Sequence, residues 1–158
     1  MIELDIKIGA KELYDYMLMH TYNSSAGILG SGFGALLVVV GVLKGQILYV
    51  IFGLVLLCYL PWTLFLKSRQ QAASNPAFAQ PLHYVLDDNG LTISQGEETA
   101  TQAWEDMVKA VSTGKSIIIY TSKVNATIIP KEQTGDLYGA VVEMISTHMP
   151  PRKVKIRA

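Results

Sequence analysis

The chain has 158 residues, half of them hydrophobic and 16% charged, with 13 basic residues against 13 acidic ones and one cysteine. A formal net charge of zero argues against nucleic acid as a partner, and the lone Cys58 excludes an intrachain disulfide framework and a CxxC metal site. The shortage of charge, against about 25% in soluble domains, is local: from Gly27 to Leu66 the only charged residue is Lys44.

The chain opens with "IELDIKI", where Ile2, Leu4, Ile6 and Ile8 alternate with Glu3, Asp5 and Lys7. That alternation predicts a half-buried strand. "AKELYDYMLMHTY" follows with helical spacing and puts Leu13, Tyr16, Met17 and His20 on one face. This face is expected to rest on a membrane surface or on the polar domain. Asn23, Ser24 and Ser25 then punctuate the chain and can cap the next helix. The mixed charge of the first sixteen residues does not suit a cleavable signal, which pairs a basic start with an immediate apolar core.

Two apolar segments come next, residues 26–43 and 47–66. A hydrocarbon core about 30 Å thick needs about 20 helical residues, so each segment is about long enough to cross alone. A single span would be twice too long and would put Lys44 near the bilayer centre, at about 2.5–3.5 kcal/mol. A transmembrane hairpin instead places Lys44, Gly45 and Gln46 at its tip. Two helices apolar all round would need more covering chain than remains here if they were buried in a soluble core. Lys67 and Arg69 follow the second segment, and Lys7 and Lys11 precede the first, against Lys44 alone at the tip. The positive-inside rule then predicts both termini in the cytoplasm. Tyr49, Tyr59 and Trp62 lie towards segment ends, as interfacial aromatic residues do, and Pro61 is expected to kink the last turn.

The first segment is rich in glycine. Gly30 and Gly34 form a GxxxG pair, with Gly27, Gly41 and the second segment's Gly53 nearby. Small residues let helices approach closely in lipid. These five are expected to pack the hairpin's own helices together, or to form a face for a second copy or a partner helix. "GSGFG" is not a phosphate loop, because no strand precedes it and no Lys-Ser/Thr follows.

After Leu66 the helix is expected to continue and end at Asn75, before Pro76. From Leu82 the period becomes that of strands. "LHYVLD", "LTIS", "TATQAW", "MVKAVST", "SIIIYTS" and "ATIIP" are separated by turn signals such as "DNG" and "QGEE". That is five or six short antiparallel strands. A last helix, "GDLYGAVVEMISTHM", carries Leu137, Val141, Met144 and Ile145 on one face, with Asp136 as a candidate cap and Pro150 and Pro151 as its stop. A helix of this kind closes the open end of a sheet that cannot bury its own face. The expected fold class is therefore an α+β membrane protein: a two-helix transmembrane hairpin plus a small antiparallel sheet domain with a C-terminal helix, in the outline of a pleckstrin-homology (PH)-like domain. The expected divisions are 1–25 (strand and amphipathic helix), 26–66 (hairpin), 67–81 (connector) and 82–158 (PH-like domain with a basic tail).

"HYVLDDNGLTIS", "ATQAWEDMVKAVSTGKSIIIYTS", "IIPKE" and the terminal helix resemble the YcxB-like family of bacterial membrane proteins. Trp104, Glu105, Asp106 and Met107, and then Ile129, Pro130 and Lys131, carry the resemblance best. It implies an N-terminal segment, a two-helix membrane hairpin and a small cytosolic β-rich domain, and it supplies no catalytic residues. The tail "PPRKVKIRA" departs from the pattern.

Little in the sequence points to chemistry. His20, His83 and His148 have no metal-ligand spacing. Asp87, Asp88, Asn89 and Gly90 read as a turn, since an EF-hand loop needs other spacing and a distal glutamate. Glu105 and Asp106 read as a solvated bend, and Cys58 as structurally buried within the second span. No nucleophile, phosphate-loop or paired-carboxylate motif appears. Neither a cofactor nor a metal is expected. Arg152, Lys153, Lys155 and Arg157 crowd the tail. They suit contact with anionic lipid, at about 1 kcal/mol per basic residue, or a strand paired antiparallel with Glu3 and Asp5 of the N-terminus. The expectation is a non-enzymatic protein of the bacterial cytoplasmic membrane whose PH-like domain binds a protein partner or anionic lipid at the inner leaflet. The alternative is an immunity-type or regulatory subunit packed on another membrane protein. A transporter component is less favoured, because no ionisable residue lies inside either span.

Overall fold

A computed structural model describes residues 1–123 and 125–156. The alternating start forms strand β1, Ile2–Ile6, with Leu4 and Ile6 turned inward. Helix α1, Ala10–Tyr22, begins where the Glu12 carboxylate accepts a hydrogen bond from the Gly9 N–H at 2.9 Å. Helix α2, Ser25–Leu43, is capped by Ser24, whose hydroxyl accepts from the Gly27 N–H at 3.1 Å. This satisfies one of the donors a helix start leaves open.

Lys44, Gly45 and Gln46 reverse the chain. Gly45 has φ +63, in the left-handed region where a side chain is penalised, so glycine suits the tip. Helix α3, Ile47–Ser74, returns antiparallel and runs unbroken through Pro61. It stops at Asn75, whose side chain accepts from the Ala77 N–H and starts a short turn, Pro76–Phe78. At 1.5 Å per residue, α2 (19 residues) is about 28 Å long and α3 (28 residues) about 42 Å. Both are long and apolar enough to cross a membrane. Their outer side chains are bare: Leu29 is 72% exposed, Leu43 80% and Trp62 62%. Helix α1 lies against the polar end of α3, with Tyr14 edge-on to Phe65 at 5.8 Å.

Strands β2 (Leu82–Leu86), β3 (Gly90–Gln95) and β4 (Glu98–Ala103) follow the turn. After a short helical turn at Trp104–Asp106 come β5 (Lys109–Ser112), β6 (Ser116–Tyr120) and β7 (Ala126–Pro130). Helices α4 (Lys131–Thr134) and α5 (Tyr138–His148) and a short strand β8 (Val154–Lys155) complete the described chain. Among the described residues the strands make two four-stranded sheets, ordered β1-β2-β3-β4 and β7-β6-β5-β8. The β2–β3 turn is built by Asp87, whose carboxylate accepts from the Asn89 and Gly90 N–H groups at 2.8 and 3.0 Å. These two bonds stabilise its charged form and hold its pKa below the usual carboxylate value.

The core lies between the sheets. Leu4, Ile6, Leu86 and Leu91 meet Ala110, Ile117, Ile119 and Ile129, and α5 closes the end with Val141 and Ile145.

Several expectations need correcting. Residues 1–25 are not separate from 82–158, because β1 is the antiparallel neighbour of β2, with Leu4 opposite Tyr84 and Ile6 opposite Leu82. The hairpin is thus inserted within one sheet. Among the described residues the basic tail does not pair with the N-terminal strand. β8 runs parallel to β5, with Val154 beside Ala110, because β1 already has β2 as its partner and half-buried Val154 and Ile156 pack on the core. Asp136 gives no side-chain cap, since it lies in a helical turn, Gly135–Leu137, that leads straight into α5. Leu137 is correspondingly on the exposed side, at 43%. Cys58 is exposed on the outside of α3 rather than buried.

Candidate functional site

The features with functional potential fall in three places: the seam between α2 and α3, the junction where the hairpin meets the sheets, and the basic tail.

At the seam, Gly34, Gly41 and Gly53 are buried between the two helices. A Cβ on Gly53 would lie 2.7 Å from the Gly34 carbonyl oxygen and 2.9 Å from the Val38 nitrogen. On Gly41 it would lie 2.8 Å from the Val50 nitrogen. Backbone thus packs on backbone, which only hydrogen side chains permit. Gly27 serves a different contact: a Cβ there would strike the Thr21 carbonyl at the end of α1. Gly30, expected with the others, faces outward with nothing within 4 Å. On α2 the seam therefore uses Gly34 and Gly41, seven residues apart, and the GxxxG pair of Gly30 and Gly34 is split between two faces.

At the junction, the last turns of α1 lie on β6. The His20 Nδ1 and Tyr120 hydroxyl share a hydrogen bond at 3.2 Å, and their rings stack at 5.9 Å. The Lys109 ammonium sits 4.4 Å above the same tyrosine ring, within cation–π range. Burial, helped by nearby Tyr16, pushes the Tyr120 hydroxyl up to about 12, so it stays protonated at neutral pH. Further along α1, Asp15 accepts from the Thr113 hydroxyl at 2.6 Å, and Lys11 pairs with Glu132 at 2.7 Å. That contact raises the lysine pKa and lowers the glutamate's. These ties fix α1, and hence the root of α2, on the second sheet.

In the tail, Arg152 and Lys155 are exposed, whereas Lys153 is engaged: its ammonium donates to the Met107 carbonyl at 2.8 Å and the Glu105 carbonyl at 3.3 Å. Arg157 lies outside the described residues. Three of the four tail cations can therefore be located, and one of those is committed to the protein's own backbone.

The remaining polar residues do not converge. His83 pairs with Asp5 at 2.8 Å on the outer face of the first sheet. His148 donates through Nδ1 to the Met144 carbonyl at 3.0 Å and stacks on Trp104 at 5.6 Å. Trp104 in turn donates to the Asp87 carbonyl at 2.8 Å. Among the described residues no group of His, Cys, Asp or Glu could hold a metal ion. The junction cluster carried no motif, because His20, Lys109 and Tyr120 are far apart in sequence. The one signal was an apolar run: Tyr120 follows three isoleucines in "SIIIY", and such a strand must be covered on both faces.

Residues 86–144 match the model of a family described as YcxB-like protein. The match covers the stretch from the end of β2 into α5, including the Trp104 to Met107 and Ile129 to Lys131 segments that carry the sequence resemblance. A search of curated proteins and a search of solved structures each gave no match.

Proposed function

We propose that the chain is a non-enzymatic integral protein of the bacterial cytoplasmic membrane, anchored by the α2–α3 hairpin. Its PH-like domain is presented at the inner leaflet, where it binds a protein partner or anionic lipid. The observation that carries this is the bare apolar surface of the hairpin. From Ile28 to Leu66, large side chains such as Leu29, Phe33, Leu43, Phe52 and Trp62 face away from the protein. Burying such surface contributes about 25 cal/mol per Å², and among the described residues nothing else covers it. The pairing of β1 with β2 supports the topology, since both ends of the hairpin must emerge on one side of any bilayer it crosses. Lys67 and Arg69 at that end, against Lys44 at the tip, favour the cytoplasmic side. The PH-like reading is supported by two packed sheets closed by a C-terminal helix. Exposed Arg152 and Lys155 suit an anionic headgroup.

The second reading, an immunity-type or regulatory subunit or a homo-oligomer, is favoured by one feature. The outward Gly30 and Gly32 leave open space on α2 where another helix can approach.

The test is a Gln46→Cys variant in a Cys58→Ala background. An impermeant maleimide should label it from outside intact cells, and the protein should stay in the membrane through alkaline carbonate. Carbonate extraction would overturn the anchor; labelling only in inside-out vesicles would reverse the topology.

A further inference from the structure

The two sheets do not close fully on the side where α1, the end of α3 and the Pro76–Phe78 turn meet β2, β3 and the start of β7. A cleft of about 290 Å³ opens there. This is near the lower end of the range for small-molecule sites, about 300–1,000 Å³. Apolar side chains, Ile8, Leu13, Phe78, Leu82, Ile93 and Ile128, share its walls with polar groups in similar measure. The polar lining is neutral, chiefly Gln71, Asn125 and Thr127, and among the described residues no acidic or basic side chain reaches it.

One group in this cleft has no hydrogen-bond partner among the described residues. Tyr84 is 2% exposed and forms no hydrogen bond among the described residues, yet no fully enclosed polar side-chain atom goes without one. Its hydroxyl must therefore open onto accessible space, and the cleft is the space this residue lines. Burial raises the Tyr84 pKa far above the ordinary tyrosine value, so the hydroxyl keeps its proton and remains a donor at physiological pH. A hydroxyl that faces a cleft with no protein acceptor is free to donate to an incoming oxygen.

We propose that this cleft binds an uncharged single-chain amphiphile, whose hydroxyl or ester oxygen accepts a hydrogen bond from Tyr84 and whose chain lies along Phe78, Leu82 and Ile93. The neutral lining excludes a carboxylate or phosphate, which would be buried without a counter-charge. The position favours a membrane-derived molecule. Gln71 is five residues beyond Leu66 on α3, about 8 Å along the helix, so the mouth opens just past the end of the apolar surface. That the bilayer supplies the ligand rests on the membrane reading above; binding itself does not.

The probe is 1-octanoylglycerol, titrated by calorimetry into the full chain held in amphipol, with octanoate at pH 8 as the charged comparison. One saturable site is expected, with octanoate at least tenfold weaker. Tyr84→Phe keeps the ring and should weaken binding about 2–10-fold, the range for one neutral hydrogen bond. Ile93→Trp fills the cleft and should abolish binding, with near-ultraviolet circular dichroism reporting that the fold is retained. If it is not retained, Tyr84→Phe and a diazirine analogue mapped by mass spectrometry decide the question. Overturning results are no saturable binding by the folded protein, equal binding of octanoate, wild-type affinity in Tyr84→Phe, or labelling confined to α2 and α3. Carbonate extraction with binding intact would count against the membrane anchor alone.

Discussion

Two glycines of similar sequence context should respond to the same mutation with opposite sign. A Cβ on Gly53 would meet Val38 Cγ2 at 2.6 Å, the Gly34 oxygen at 2.7 Å and the Val38 nitrogen at 2.9 Å. Two of those three atoms are backbone and cannot rotate away. Comfortable contact needs about 3.5 Å, so Gly53→Ala must part α2 and α3 by roughly 0.6–0.8 Å along the seam. A gap of that size forfeits about a quarter to a half of each pair's ~0.1–0.2 kcal/mol. Over as many pairs as one buried leucine makes, about 40–60, the loss centres near 3 kcal/mol. That is at the top of the range of about 1–3 kcal/mol typical of overpacking. Gly30→Ala meets nothing within 4 Å and removes a helix-interior glycine, worth up to about 1 kcal/mol of stabilisation. Mixed-micelle titration with dodecyl sulfate, followed by helical circular dichroism, measures both. The midpoint should fall for Gly53→Ala and hold or rise for Gly30→Ala. If Gly30→Ala is the more damaging, the tight interface is between copies of the chain and not within the hairpin.

The tail and the junction give two further expectations. Lys153→Ala removes donors to two carbonyls and should lower stability by about 1–2 kcal/mol, given about 1.5–3 kcal/mol for a charged hydrogen bond and some loss to solvent. It should also speed hydrogen exchange at Val154, whereas Arg152→Ala should do neither. Tyr120 titrates at about 12 in the folded chain against about 10 when unfolded. Its raised value contributes stability that is complete below pH ~10 and is lost as pH climbs through ~12. The thermal midpoint should therefore decline across that window, and less steeply in Tyr120→Phe.

Much of the architecture could be read from short-range pattern. The helix over Ala10–Tyr22, the hairpin tip and the stop at Asn75 follow from local chemistry, and each lies where periodicity and capping residues put it. What escaped was non-local. Alternation marks "IELDIKI" as a strand but cannot name its neighbour across an intervening hairpin, so β1 looked like a separate segment. The tail's alternating cations suited a partner with Glu3 and Asp5, but the apolar demands of Val154 and Ile156 took it to β5. The glycine seam was legible as a composition. Which glycines it uses depends on helix rotation, and that is set by how α1 seats on α3. Tyr84 reads in sequence as one more inward strand residue between Leu82 and Leu86; only the gap around its hydroxyl distinguishes it.

The partnership of β1 with β2 imposes an order of assembly. β1 is made before the hairpin and cannot meet its neighbour β2 until the whole hairpin has followed it. If the hairpin lodges in a bilayer as proposed and zips along its glycine seam, the roots of α2 and α3 are held side by side. The two strands then search a short distance instead of closing a long floppy loop, whose entropic cost grows with length. A chain that fails to insert keeps β1 adrift and leaves β2 as an open edge, the kind of surface that recruits other chains. On the proposed membrane reading, membrane entry and completion of the polar domain become one cooperative event, and the finished sheet would report that insertion has taken place.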